Sequence, residues 1–168
     1  ESRNWRKYFL LNFIGLLFHW TSLVFLPLYF FLHKRLSLRT AVVVLSIGFL
    51  IFILKVSFIK PIVEVVGNLL GGIYEEKLNF YINSTLYGQR LSFSFGYVER
   101  IITTVFVLVF YRKLLDESKT NVLFINAFII FISISLYFAE IEIALTRFSA
   151  LLIFSYWILL PKIMSEFK

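Results

Sequence analysis

Residues 138–162 read FAEIEIALTRFSALLIFSYWILLPK, and the fold turns on how this stretch is read. Its second part, 148–161, holds no charged residue, while its first part carries Glu140, Glu142 and Arg147. The residues just before it, 122–138, form another uncharged apolar run. Three ionisable groups between two membrane-grade segments belong at or just inside a bilayer surface. Charge at that depth is costly, so such residues are functional candidates by default.

The whole chain carries the same signature. Of its 168 residues, 60% are hydrophobic and 20% aromatic, and the mean hydropathy is +0.85. Charged residues make up 16%, against about 25% in soluble domains. This composition predicts an all-α, polytopic transmembrane helix bundle, a single integral membrane domain over 1–168. Because the chain starts at Glu1 rather than Met, it is expected to be the C-terminal part of a longer polytopic protein. The lack of cysteine excludes a disulfide scaffold and thiolate metal sites. A net charge of +7 is expected to face anionic membrane lipids through juxtamembrane Lys and Arg, with an anionic lipid-linked substrate as a further partner. Nucleic acid is not expected as a partner.

About five membrane segments follow from the hydropathy pattern. The first, 8–32, is long enough for one tilted span, yet its middle, His19-Trp20-Thr21-Ser22, is polar for a bilayer centre. The second, 40–59, ends at Lys60-Pro61, where proline opposes further helix. From 62 to 90 the chain turns amphipathic and predicts one or two interfacial helices plus a loop. The third segment, 91–111, carries Glu99 and Arg100 in its first half; 112–121 is a charged loop; the fourth, 122–138, is uncharged. The fifth ends at Leu160-Pro161.

The first segment has two readings. It crosses once, or it breaks at 19–22, dips in and returns. The second version puts the basic N-terminus beside the other basic clusters, His33–Arg39 and 112–121. Both place 112–121 and the C-terminus in the cytoplasm, and both leave 62–90 and the 140–147 turn on the outer face.

No Gly-rich phosphate loop, HExxH motif, Cys/His metal spacing or Ser-His-Asp order is present, and there are only two histidines. No metal or cofactor is implied. What remains are polar groups at membrane depth. Arg147 and Glu140 lie seven positions apart; on a continuous helix they share a face, ~10 Å apart along the axis, which suits a shared substrate. A structural pair at a helix end, or Arg147 snorkelling to headgroups, is the other reading. Glu142 points elsewhere on such a helix. Glu99 and Arg100 are neighbours that cannot pair with each other, so each needs a partner from another helix, in a site or in an inter-helix salt bridge. His19 is a hydrogen-bonded structural residue or, at a helix break, a base or anion contact. Arg90 and Tyr87 belong to the outer segment and are solvated or face substrate. His33, Lys34, Arg35 and Arg39 read as a topology signal.

Two segments resemble a known family. KYFLLNFIGLLFHWTSLVFLPLYF (residues 7–30) resembles the Phe-His-x-Ser/Thr-Ala/Ser segment of the EpsG-like branch of Wzy-type bacterial polysaccharide polymerases. GYVERIITTVFVLVFYRKL (96–114), followed by IEIALTRFSALLIFSYWILLP (141–161), resembles that branch's C-terminal end, where an arginine and an aromatic open the last helix and Leu-Pro closes it. Order and spacing agree over nearly the whole chain. Thr21-Ser22-Leu23 departs from the small residue common in the motif, and the family's usual N-terminal spans, with their Arg-rich motif, would precede Glu1.

The resemblance implies a membrane glycosyltransferase of exopolysaccharide, O-antigen or capsule biosynthesis, multi-pass in the bacterial inner membrane. It would transfer a glycan from undecaprenyl pyrophosphate onto another lipid-linked repeat unit at the outer face. The matched positions are His19, Arg100 and Arg147. Glu140 joins His19 and Arg147 as a catalytic candidate, with Arg100, Glu99, Glu142, Arg90 and Tyr87 as substrate-binding candidates. The lipid-linked oligosaccharide is the expected partner, with other polysaccharide export or chain-length proteins beside it. A transporter or flippase for a lipid-linked or anionic solute, and a non-catalytic membrane subunit, are the alternative readings.

Overall fold

The computed structural model describes residues 4–18, 22–85 and 88–165, and among them the chain is all-helical. The centre is α9 (Lys119–Tyr137), whose 19 residues span about 28 Å. Its start is capped by the Ser118 hydroxyl, which accepts from the Thr120 N–H at 3.2 Å. Ile125, Phe128, Ile129 and Phe131 are almost fully enclosed, because other helices pack on several sides of α9.

Against it lies α4 (Leu38–Ile53), started by Ser37, whose hydroxyl accepts from the Thr40 N–H at 3.0 Å. Ala41, Leu45, Gly48 and Phe52 form its buried stripe. Val43, Ile47 and Leu50 on the other side are also apolar, and exposed. A helix apolar all round suits either a core or lipid. Gly48 sets the approach of α4 to α9: a Cβ there would stand 2.7 Å from the Tyr137 ring and 3.0 Å from Leu136 Cβ. Small residues at helix crossings allow this closeness.

The N-terminal segment breaks into α1 (Trp5–Phe18), α2 (Ser22–Phe25) and α3 (Leu28–Leu32), with Pro27 preceding the last. The chain doubles back. The Tyr8 hydroxyl donates to the Phe25 carbonyl, and the Tyr8 and Tyr29 rings stand 5.1 Å apart. Of the two readings of this segment, the structure has the hairpin. Buried Asn126 on α9 fastens its end, donating to the carbonyls of Phe31, Leu32 and Lys34.

Several boundaries differ from expectation. The second segment stops at Ile53 rather than at Pro61. Lys55 has φ 52°, the Val56 N–H donates to the Ile51 carbonyl and the Lys55 N–H to the Phe52 carbonyl; this is a Schellman stop. Pro61 then lies in the first turn of α5 (Ile59–Leu70), where its missing N–H would have had no helical partner anyway. Helix α5 turns into α6 (Gly72–Asn83) through Gly71 and Gly72, both with positive φ, so the amphipathic region is a two-helix hairpin plus loop. After α7 (Phe95–Val109), the expected charged loop is itself helical over α8 (Tyr111–Glu117), since Tyr111, Leu114 and Leu115 face the core.

The last expected span is broken into α10 (Glu142–Ser149), a 3-10 turn (Ala150–Leu152) and α11 (Phe154–Ser165). The Ser155 hydroxyl takes the Leu152 carbonyl at 2.6 Å, and the Tyr156 N–H donates to Ile153 instead. Side-chain competition of this kind disturbs a helical ladder. Pro161 lies inside α11 rather than closing it. Lys162 holds the last turn by donating to Asn121 Oδ1 at 2.6 Å, and Ile163 is buried.

Five spans are expected from hydropathy; among the described residues only α9 is long and apolar enough to cross a membrane, with α4 apolar but shorter. Much apolar surface is exposed: Leu17 and Phe18 at 84% and Phe95 at 89%. Patches of this extent normally meet a membrane or a partner.

Candidate functional site

The polar groups sort to two ends of the bundle. One end carries the Arg35–Asp116 pair at 2.9 Å and the Lys162–Glu117 pair at 3.7 Å. The other end carries the 138–142 turn, the start of α7, the α5–α6 hairpin and α10. Of the described candidates, Arg90, Glu140, Glu142 and Arg147 belong to this second end, while Glu99 and Arg100 lie further along α7, beside Tyr156 and Phe131. His19 and Tyr87 lie outside the described residues.

Glu140 is buried, 4% exposed, and does not share a helix with Arg147. Ile141 is extended and α10 begins only at Glu142, so the continuous helix expected between Glu140 and Arg147 is absent. The Glu140 carboxylate turns instead to the start of α5. It accepts from the Ser57 hydroxyl, from the Phe58 N–H at 3.1 Å and from the Ile59 N–H at 2.9 Å. Phe58 offers no side-chain cap of its own, so a residue more than eighty positions away satisfies the unpaired N–H groups. Burial alone would raise its pKa, but the Ser57 hydroxyl and the N–H groups of Ile59, Phe58 and Lys60 outweigh it and hold the carboxyl below its ordinary value. A carboxylate so engaged is a weak proton acceptor. Its geometry suits holding the turn more than taking a proton.

Arg90 braces the same turn from the other side, its Nη2 donating to the Val56 carbonyl at 2.9 Å. Backbone bonds complete the junction: the Leu91 N–H donates to Ala139 at 2.7 Å and the Glu142 N–H to Gln89 at 3.0 Å. Glu142 is thereby fixed at the head of α10, half-buried.

Arg147 is exposed in the last turn of α10, a position the helix dipole favours for a cation. Its guanidinium stands 5.9 Å from the Tyr81 ring centroid on α6. Beside it Phe148 packs edge-on to Phe138 at 6.0 Å. A guanidinium lodged over an aromatic ring can contact a phosphate or a sugar.

Arg100 lies deeper. It lines a cavity of about 240 Å3 between α4, α7 and α9. The cavity wall is otherwise apolar apart from Ser46, Thr104, Ser135 and Tyr97. The guanidinium sits 5.3 Å from the Phe131 ring centroid. Tyr97, three positions before it and 3% exposed, has a hydroxyl without a hydrogen-bond partner among the described residues. Neither acidic candidate of the 138–142 turn lines this cavity, and neither does Arg147. The two arginines therefore make two stations, one over Tyr81 and one in the α4–α7–α9 cavity, rather than one shared pocket. Glu99 faces away, as adjacency with Arg100 requires, and accepts from the Tyr156 hydroxyl; Thr103 lies within 3.3 Å of the same hydroxyl.

Sequence reasoning passed over Ser57, Tyr97 and Tyr156. Tyr97 was within reach, since spacing of three puts it on the Arg100 face of a helix. Ser57 and Tyr156 have no local signal; tertiary packing alone brings them to Glu140 and Glu99.

The model of one protein family, the EpsG family, matches residues 1–168. No curated protein and no solved structure matches the chain.

Proposed function

The chain belongs to the EpsG family, membrane proteins of polysaccharide biosynthesis, and on that premise we propose that it polymerises a lipid-linked glycan. The bundle crosses the bacterial inner membrane several times, with α1–α3 as a re-entrant hairpin and the α5–α6 hairpin lying on the outer surface. The acceptor sugar hydroxyl attacks the anomeric carbon of the donor glycan. The bond from that carbon to the carrier pyrophosphate breaks, and the pyrophosphate leaves with the bonding electrons.

The observation that carries this reading is the pair of cationic stations, Arg147 over Tyr81 and Arg100 in the apolar cavity. A departing pyrophosphate at a membrane surface needs fixed positive charge, and guanidinium supplies it in a fork matched to phosphate oxygens. Arg100 holds the carrier side of the substrate and Arg147 the glycan side. Glu140 and Arg90 position the turn between them. The hydroxyl proton goes to Glu142 or His19, with Glu99, oriented by Tyr156, and Tyr87 as substrate-binding residues.

The test is genetic. In cells that depend on the protein for polymer, Arg147→Ala and His19→Ala abolish long chains and leave single repeat units. Glu142→Gln against His19→Gln then identifies the proton acceptor. Wild-type chain lengths in both Arg147→Ala and His19→Ala would remove the basis for the site.

A further inference from the structure

At the opposite end of the bundle, a cavity of about 930 Å3 opens between the N-terminal hairpin and the start of α9. Cationic groups reach it from separate elements. Arg35 comes from the α3–α4 turn, and Lys119 from the first turn of α9, next to Thr120. Asn4, before α1, adds a polar amide. No carboxylate is among its described lining residues, whereas the deeper wall is apolar, formed by Leu32, Val122 and Leu123.

Asp116 meets Arg35 at 2.9 Å from outside the cavity, but both side chains are more than 60% exposed. Such a pair is weak and leaves most of the five guanidinium donors for another acceptor. The Lys119 end of α9 also presents the positive pole of a 19-residue helix. Positive charge above and apolar wall beneath is the pattern with which basic pockets between membrane helices hold lipid headgroups.

We propose that this cavity binds a phosphate-bearing anion between Arg35 and Lys119. Its source is an anionic phospholipid, whose alkyl chain runs along Leu32, Val122 and Leu123, or a soluble phosphate compound. The site is separate from the outer-end arginines and does not depend on their role.

The experiment measures phosphatidylglycerol retained by the purified protein in detergent, by mass spectrometry of the intact complex, with inorganic phosphate as competitor. At about fivefold per surface charge, Lys119→Gln weakens retention about fivefold and the Arg35→Gln/Lys119→Gln pair about thirtyfold. Lys119→Arg keeps it. Arg39→Gln, an exposed cation on the same end but outside the cavity wall, changes it less than twofold. Retention resistant to millimolar phosphate assigns the site to a lipid headgroup; displacement by phosphate assigns it to a soluble phosphate. Retention unmoved in the double variant, or weakened equally by Arg39→Gln, would overturn the site. So would the absence of binding of either phosphate to the wild-type protein. Chain length of the polymer is expected to stay unchanged in these variants, so the outcome is independent of the polymerase reading.

Discussion

Replacing Glu140 by alanine removes a buried carboxylate that closes the start of α5 from across the bundle. The Ile59 and Phe58 N–H groups lose their acceptors, and the Ser57 hydroxyl loses its carboxylate. Ser57 is exposed and turns to water; the two N–H groups lie deeper. An unsatisfied buried donor costs about 1–3 kcal/mol, so the two together cost about 3 kcal/mol. In a chain of this length each kcal/mol moves the melting temperature by about 2–4 °C, and the expected loss is about 6–12 °C. Glu140→Gln keeps one acceptor oxygen in place and is expected to lose about half as much.

The charge adds a pH signature. The folded carboxyl titrates below its ordinary value, so its stabilisation is complete above the ordinary carboxylate range near pH 4.3. It is lost as pH falls through the lowered folded value. The gap between wild type and Glu140→Gln is therefore full at pH 7 and narrows below about pH 4. Thermal melting of the detergent-solubilised protein, followed by circular dichroism at both pH values, measures it. A Glu140→Ala protein that melts with the wild type at pH 7 but makes no polymer would refute the capping argument and restore Glu140 as a catalytic group.

Lys55→Gly relieves a left-handed residue at the end of α4 and is expected to raise stability by about 1 kcal/mol, read as a higher melting temperature. Gly48→Ala drives a methyl into Tyr137 and Leu136; a loss of about 1–3 kcal/mol is expected, with melting again as the measure. Arg100→Met replaces a cation on an apolar cavity wall with a side chain of similar length. It is expected to leave the stability within about 1 kcal/mol of wild type, read by melting, while polymer synthesis falls at least about a hundredfold.

The all-helical architecture was legible because hydropathy marks apolar segments whatever they pack against. The amphipathic character of 62–90 was legible from mixed charge, though not whether it held one helix or the two of α5 and α6, and the polar interruption near His19 left the first segment open between a single crossing and a return. Boundaries were less so. Pro61 reads as a stop in sequence, yet it opens α5, because a proline tolerated in a first turn resembles one that ends a helix until the Schellman bonds at Lys55 are seen. The 3-10 turn at 150–152 depends on one hydroxyl, Ser155, choosing a carbonyl. For the site, residue type pointed to Arg100, Arg147 and the acidic turn. Pairing did not follow, since the Glu140 partners lie more than eighty positions away and no spacing rule reaches that far.

The most direct measurement is reconstitution of the purified protein with a lipid-linked repeat unit in vesicles, with the products sized by gel. The wild-type protein is expected to build a ladder of polymer. Arg147→Ala and Arg100→Met, both folded and melting near the wild type, are expected to leave the unit at its starting size. A full ladder from either variant, or substrate carried across the vesicle membrane by the wild-type protein without any new glycosidic bond, would contradict the account.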